Sequence, residues 1–192
     1  MKKITKTKTI LCAFLLVFSI FLSSCSNPVT YSVEKEHKDK MEVIYNMISG
    51  LLENDSKLYL STIEPKYIEN VKKVVDTLGL QYFSAASFDE LIKTFFAQYQ
   101  QGLEANYGKN IKVSLSFDSV TTGTKDSLGV LIDDYSVGYQ FPKDDMSAIY
   151  NVSVKLNISG SSYSGEKTSN FVLFEMNDGN IYLHPDSFLY SF

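Results

Sequence analysis

The sequence predicts an α+β fold in which helices come first and a meander of about four or five antiparallel strands follows. Three observations support this prediction. Apolar residues recur at helical spacing through the first half of the chain. After residue 110 they alternate with polar residues, which is the period of a half-buried strand. Turn-forming residues separate the alternating runs. We therefore expect a single α+β domain over residues 34–192.

The first predicted helix lies between Glu34 and Glu53 and ends at the polar run 54–56, which caps a short second helix. Its buried side is predicted from spacing alone. The apolar residues are Met41, Ile44, Tyr45, Ile48, Leu51 and Leu52.

Two longer helices are predicted next. Pro65 suits the first turn of one of them, and Gly79 is expected to close it. Ser87 is followed three residues later by Glu90, the capping-box pattern that opens a helix. This last helix should end near Gly108.

The β half follows as short alternating runs. Asn177-Asp178-Gly179-Asn180 predicts a tight hairpin that leads into a short edge strand. The predicted strands cover residues 111–117, 135–141, 150–158, 168–176 and 181–183.

Residues 1–24 have the pattern of a secretory signal peptide. Four lysines lie among the first eight residues, and an apolar run from Ile10 to Leu22 follows. A spanning helix needs roughly 20 apolar residues, and this run is shorter. Pro28 would stop any helix that continued from it. We therefore expect cleavage rather than a permanent membrane span.

The end of this segment, Leu22-Ser23-Ser24-Cys25, resembles the lipobox of bacterial lipoproteins. The resemblance implies that Cys25 becomes the mature N-terminus and carries fatty acid such as palmitate. Residues 25–33 would then be a lipidated tether. The membrane would be a partner of the protein, which would lie on the extracytoplasmic side of the cell membrane, held by lipid.

Composition excludes several classes of partner and site. Loss of residues 1–24 removes four lysines and no acidic residue, so the formal charge falls from −4 to −8. All 18 basic residues are lysine, so no guanidinium is present to bind phosphate in a bidentate way. We expect no nucleic-acid partner and no electrostatic docking onto anionic lipid headgroups, because the surface is acidic overall. Cys12 lies in the leader and Cys25 carries the lipid, which leaves the domain without a disulfide.

Residues 41–70, MEVIYNMISGLLENDSKLYLSTIEPKYIEN, resemble the opening of an NTF2-like (cystatin-like) domain. The resemblance implies a curved sheet that wraps the long first helix around a conical cavity. Members of this family use the cavity as a catalytic pocket or a ligand site, or fill it with side chains. The chain departs from the commonest pattern because it lacks a clear strand pair between its two longer helices, the one that begins at Pro65 and the one that Ser87 opens.

The residues expected to face the cone favour a filled interior. They include no Asp, Glu or His: Tyr139, Tyr150, Val152, Val154, Leu156 and Ile158. Tyr45 and Tyr99 lie on inward helical faces and could donate a hydrogen bond to a ligand. With Tyr139 and Tyr150 they form the predicted ligand-binding set.

No catalytic residue, metal site or cofactor is predicted. His37 lies in a charged, solvated run, and His184 is expected at the surface or in a capping role. Two isolated histidines without a cysteine partner do not make a zinc site. Asp133–Asp134 and Asp144–Asp145 lack the spacing of a calcium loop and are interpreted as solvated turn residues.

The preferred interpretation is a membrane-anchored, non-enzymatic module that binds a protein or a small apolar ligand. One alternative is an NTF2-like pocket enzyme of the isomerase or dehydratase class that acts on a small extracytoplasmic molecule. It would require a buried acidic residue or histidine facing a cavity. A third is an envelope accessory that assembles through the edge strand at 181–183.

Overall fold

The structure is a computed structural model that describes residues 28–82, 85–123 and 143–184. Its helices are α1 Lys38–Glu53, α2 Ser56–Leu60, α3 Pro65–Tyr82 and α4 Phe88–Tyr107. Its strands are β1 Val29–Ser32, β2 Lys112–Gly123, β3 Met146–Ser159, β4 Ser164–Met176 and β5 Ile181–Leu183. Turns of 3-10 helix cover Lys35–His37 and Lys143–Asp145. The predicted strand at 135–141, with Tyr139, lies outside the described residues, as do Cys25 and Asp133–Asp134.

The described strands form one curled, five-stranded sheet in the order β1-β2-β3-β4-β5. The pairings β2–β3, β3–β4 and β4–β5 are antiparallel, which confirms the α+β prediction with its meander. Register shifts after Phe117 in β2 and after Met146 in β3 mark bulges. Bulges bend a strand and increase its twist, so they contribute to the curl.

The first strand is the main departure from the sequence prediction. Residues 25–33 are predicted to be a tether, but Val29–Ser32 pair in parallel with the start of β2. The sheet is therefore mixed rather than purely antiparallel. Val29 is only 1% exposed, because it lies in the core beside Val113. A single four-residue alternation is too short to distinguish a strand from a linker.

The predicted helix boundaries are confirmed where side chains cap them. The Asp55 carboxylate accepts hydrogen bonds from the amides of Lys57 and Leu58, both at 3.0 Å, and so caps α2. Ser87 Oγ accepts from the Glu90 amide at 3.2 Å, as the capping box requires.

One predicted boundary is wrong: α3 continues past Gly79 to Tyr82. A glycine inside a helix costs only about 1 kcal/mol, so it does not by itself end one. Gly108 does follow the last residue of α4, with a φ of 81° that favours glycine.

The space between α1 and the sheet is filled by apolar side chains. The α1 residues in this core are Met41, Ile44, Met47, Ile48 and Leu51. The sheet contributes Val113, Leu115, Val152, Val154, Leu156, Ile158, Phe171 and Leu173. Each of these side chains is at most 3% exposed. Within the described residues, the interior of the cone is thus core rather than a cavity.

Candidate ligand-binding groove

A second apolar region lies on the helical side of the molecule, between α2, α3 and α4. It is an open groove with a cavity volume of about 310 Å³. Buried residues form its floor: Tyr59, Ile63, Tyr67 and Phe88. Half-buried residues form its walls: Leu60, Ile68, Val71, Leu91, Ile92 and Phe95. We call this feature the helical groove.

The walls follow from residue spacing on two helices. Ile68 and Val71 lie three residues apart on α3, so they share one face. On α4, Leu91 and Phe95 lie four residues apart and meet them from the other side. The sequence contains a signal for this groove in Phe95-Phe96, since adjacent apolar residues widen the apolar stripe of a helix. Phe96 is 1% exposed in the core, whereas Phe95 lines the groove.

A close helix–helix contact positions the floor of the groove. A Cβ placed on Gly50 of α1 would lie 2.6 Å from the backbone nitrogen of Tyr59, so only glycine allows α2 to pack this closely. The Tyr59 ring then packs edge-on against Phe96, with centroids 5.3 Å apart. Burial raises the pKa of the Tyr59 hydroxyl. Tyr59 is therefore neutral near pH 7.

Tyr99, a predicted ligand residue, packs against the hydrophobic core and contacts a residue that lines the groove. Its ring stacks on that of Phe95, one turn earlier on α4, with centroids 6.4 Å apart. Burial is the largest of the causes that raise the pKa of its hydroxyl.

Tyr150 lies in a polar cluster with Asp39, Lys40 and Glu175. Its hydroxyl donates a hydrogen bond to the Glu175 carboxylate, and this bond is the main cause that raises the pKa of Tyr150 to about 12. Lys40 Nζ lies 4.3 Å from the centre of the Tyr150 ring and 3.2 Å from Asp39 Oδ2. The Lys40 ammonium thus contacts both Asp39 and the Tyr150 ring, and the Glu175 carboxylate contacts the Tyr150 hydroxyl.

Glu175 was missed by the sequence analysis, which expected no carboxylate on the inward faces. Residues 173 and 175 share a face of β4, and Leu173 is in the core, so Glu175 points to the same side. A period-2 assignment of faces along residues 168–176 would have found it.

The predicted tyrosines thus have different neighbours. The Tyr45 ring packs against Tyr31 of β1, with centroids 4.9 Å apart. Tyr99 stacks on Phe95, Tyr150 binds Glu175, and Tyr139 lies outside the described residues.

Both histidine interpretations need correction. His184 is predicted at the surface or in a capping role, and the surface alternative is wrong: it is 2% exposed, and its ring meets Phe174 edge-on with centroids 5.0 Å apart. Burial lowers the pKa of His184 to about 4, so it is neutral near pH 7. His37 is half-buried rather than solvated, because it stacks on Phe117 with centroids 4.3 Å apart.

Asp144 and Asp145 are exposed, as predicted. Within residues 28–82, 85–123 and 143–184, no group of three or more His, Cys, Asp or Glu side chains is arranged to hold a metal ion.

Comparison of the chain with protein-family models, with curated proteins and with solved structures gives no match. In the described part of the chain, no helix has both the length and the apolar character that crossing a bilayer requires.

Proposed function

We propose that this protein is a lipid-anchored, extracytoplasmic binding domain that takes a small apolar ligand in the helical groove. The observation that carries the proposal is an apolar groove that remains open although the cone interior is filled. Its volume of about 310 Å³ falls at the lower end of the range for small-molecule sites, about 300–1,000 Å³.

The lining favours binding over catalysis. Tyrosine hydroxyls are the only titratable side-chain groups among the described residues that line the groove, and burial raises the pKa of Tyr59. An NTF2-like pocket enzyme would need an acid or base that faces the reacting group. Among the described residues, the Glu175 carboxylate is already hydrogen-bonded to Tyr150, and the buried His184 ring lies against Phe174. These contacts weigh in favour of a module that sequesters a ligand without transforming it.

The anchor is proposed from the leader and from Cys25. A fatty-acyl chain adds about 0.8 kcal/mol of membrane affinity for each buried methylene, so two or three chains hold a protein firmly. A domain held this way would meet apolar molecules that partition into the bilayer or leave it.

Replacing Cys25 with serine is expected to release the protein from the membrane fraction, because serine lacks the thiol that is acylated. The measurement is fractionation of cells that express the full chain, together with intact mass. Cys12→Ser, in the leader, is the matched control and should leave both membrane association and the mass of the mature protein unchanged. Unaltered fractionation of Cys25→Ser, with a mass that differs from that of the wild type only by the exchange of sulfur for oxygen, would contradict the anchor.

Filling the groove with Val71→Trp is expected to weaken binding of an apolar probe such as N-phenyl-1-naphthylamine about tenfold or more, a loss of roughly 1.4 kcal/mol. The measurement is a fluorescence titration of the purified full chain. Val74→Trp is the matched control, because Val74 is also half-buried on α3 but does not line the groove. Equal probe affinity in Val71→Trp and Val74→Trp would mean that the probe does not bind in the helical groove.

A further inference from the structure

A row of paired residues crosses four strands near one end of the sheet. Val29 pairs with Val113, Val113 with Ile158, and Ile158 with Gly165, so these residues of four strands lie side by side. Beyond this row lie the β3–β4 hairpin and the connection from α4 to β2. We call segments 108–112 and 159–165 the proximal end.

The chain before β1 must leave from this same end. β1 is parallel to β2, and both strands run away from the proximal end, so Pro28, the first described residue, lies there. Only three residues separate Cys25 from Val29, and four extended steps span at most about 14 Å. A lipid on Cys25 therefore holds the proximal end close to the bilayer.

The hairpin at this end is braced by the C-terminus of α4. The amides of Ser161 and Ser162 donate to the carbonyls of Lys109 and Tyr107, at 2.8 and 3.0 Å. The Lys109 amide donates in return to Ser161 Oγ at 2.8 Å. These bonds fix the position of the next residue, Tyr163.

Tyr163 is 60% exposed, although its ring lies against Tyr107 with centroids 5.9 Å apart. Among the described residues it is one of two exposed large hydrophobic side chains, the other being Leu78 at 41%. Tyrosine is enriched at membrane–water interfaces, where its apolar ring and polar hydroxyl both find suitable surroundings. A rigid hairpin thus presents such a residue at the end that the tether holds near the lipid.

The local charge differs from that of the whole chain. The proximal end carries Lys109 and Lys112 and no acidic residue, in a chain whose formal charge is −4. The nearest carboxylates along the chain are those of Glu104 and Glu166. At the opposite end of β3 and β4, three exposed aspartates are present: Asp144, Asp145 and Asp178. This polarity favours a negatively charged membrane surface next to the lysines.

We infer that the proximal end is a membrane-contact surface, with the Tyr163 ring among the lipid headgroups and Lys109 and Lys112 next to anionic phosphates. The inference rests on the proposed lipid anchor at Cys25. It adds an orientation: the sheet stands with β1 rising from the bilayer and the aspartates pointing away.

The chain contains no tryptophan, so a single introduced tryptophan reports on one position. The full chain would be expressed and its lipidated mature form isolated as Tyr163→Trp and, as matched control, as Tyr182→Trp. Tyr182 pairs with Phe174, nine residues along β4 from Gly165, which places it about 30 Å from the proximal row. Each variant would be reconstituted on phosphatidylcholine vesicles that contain phosphatidylglycerol, with and without brominated acyl chains.

We expect vesicle binding to shift the emission of Tyr163→Trp to the blue and bromolipid to remove roughly half of it, since tryptophan settles at the headgroup level. Emission from Tyr182→Trp should change little. Adding Lys109→Glu and Lys112→Glu to Tyr163→Trp should reduce the quenching.

Flotation with the vesicles distinguishes the two ways to fail. Suppose that the lipidated protein without substitutions floats with the vesicles. If bromolipid then quenches Tyr163→Trp no more than Tyr182→Trp, the orientation is wrong while the anchor stands. If the chain does not float, the proposed anchor fails and the inference fails with it.

Discussion

Replacing Gly50 with alanine is expected to lower the free energy of unfolding by about 2–3 kcal/mol. The new Cβ would lie 2.6 Å from the backbone nitrogen of Tyr59 and 2.9 Å from its Cα. Both are backbone atoms, so relief requires α2 to move away from α1. That movement would also disturb the Tyr59 ring in the floor of the helical groove.

Chemical denaturation of the full chain measures this effect, and Gly102→Ala is the matched control. Gly102 is also inside a helix, but a Cβ there meets nothing within 4 Å. Alanine should then raise stability by about 0.5–1 kcal/mol through its higher helix propensity. Gly50→Ala with unchanged or increased stability would mean that the α1–α2 contact is not as close as the structure places it.

Acidification from about pH 6.5 to pH 4 is expected to lower the free energy of unfolding by roughly 3 kcal/mol, because His184 is buried in its neutral form. Its pKa falls from the ordinary 6.5 to about 4 in the folded state. The unfolded chain therefore takes up the proton first as the pH drops. The contribution of neutral His184 is fully present above pH 6.5, declines through the window, and is fully lost below about pH 4.

The measurement is the free energy of unfolding as a function of pH for the wild type and for His184→Gln, which cannot titrate in this range. The variant should be less stable at pH 7 and should lack this component of the slope. His37→Gln is the matched control and retains His184, so its slope should persist. The same slope in His184→Gln as in the wild type would exclude His184 as its source.

The parts of the fold that the sequence predicts well are those encoded by neighbouring residues. The Ser87–Glu90 capping box and the end of α4 at Gly108 depend on contacts within one turn. The alternation along 150–158 depends on one strand having a buried face, and Val152 and Val154 are indeed fully buried. Each of these elements can be predicted without knowing its partner.

The strand β1 could not be predicted in this way. Val29 and Tyr31 alternate with Thr30 and Ser32, but four residues do not establish a period. What makes them a strand is pairing with residues 113–116, a partner more than 80 positions away. His184 is a similar case, because its burial depends on tertiary packing that includes the Phe174 ring.

The helical groove is predictable in part. Helical spacing marks Ile68 and Val71 on α3 as members of an apolar stripe. It does the same for Leu91, Ile92 and Phe95 on α4. Their division between the core and an open groove is not visible, since it depends on the distance between two helices. Phe95 and Phe96 illustrate this, because adjacent positions on one helix end in different environments.

The pairing of β1 with β2 also has a consequence for the order of folding. Val29 pairs with Val113, so the first of the described strands must wait for a partner that is synthesised more than 80 residues later. Closing so long a loop carries an entropic cost before any ladder bond forms. Such non-local pairings slow folding. We therefore expect β1 to join the sheet late in folding, after the local β3–β4 hairpin has formed.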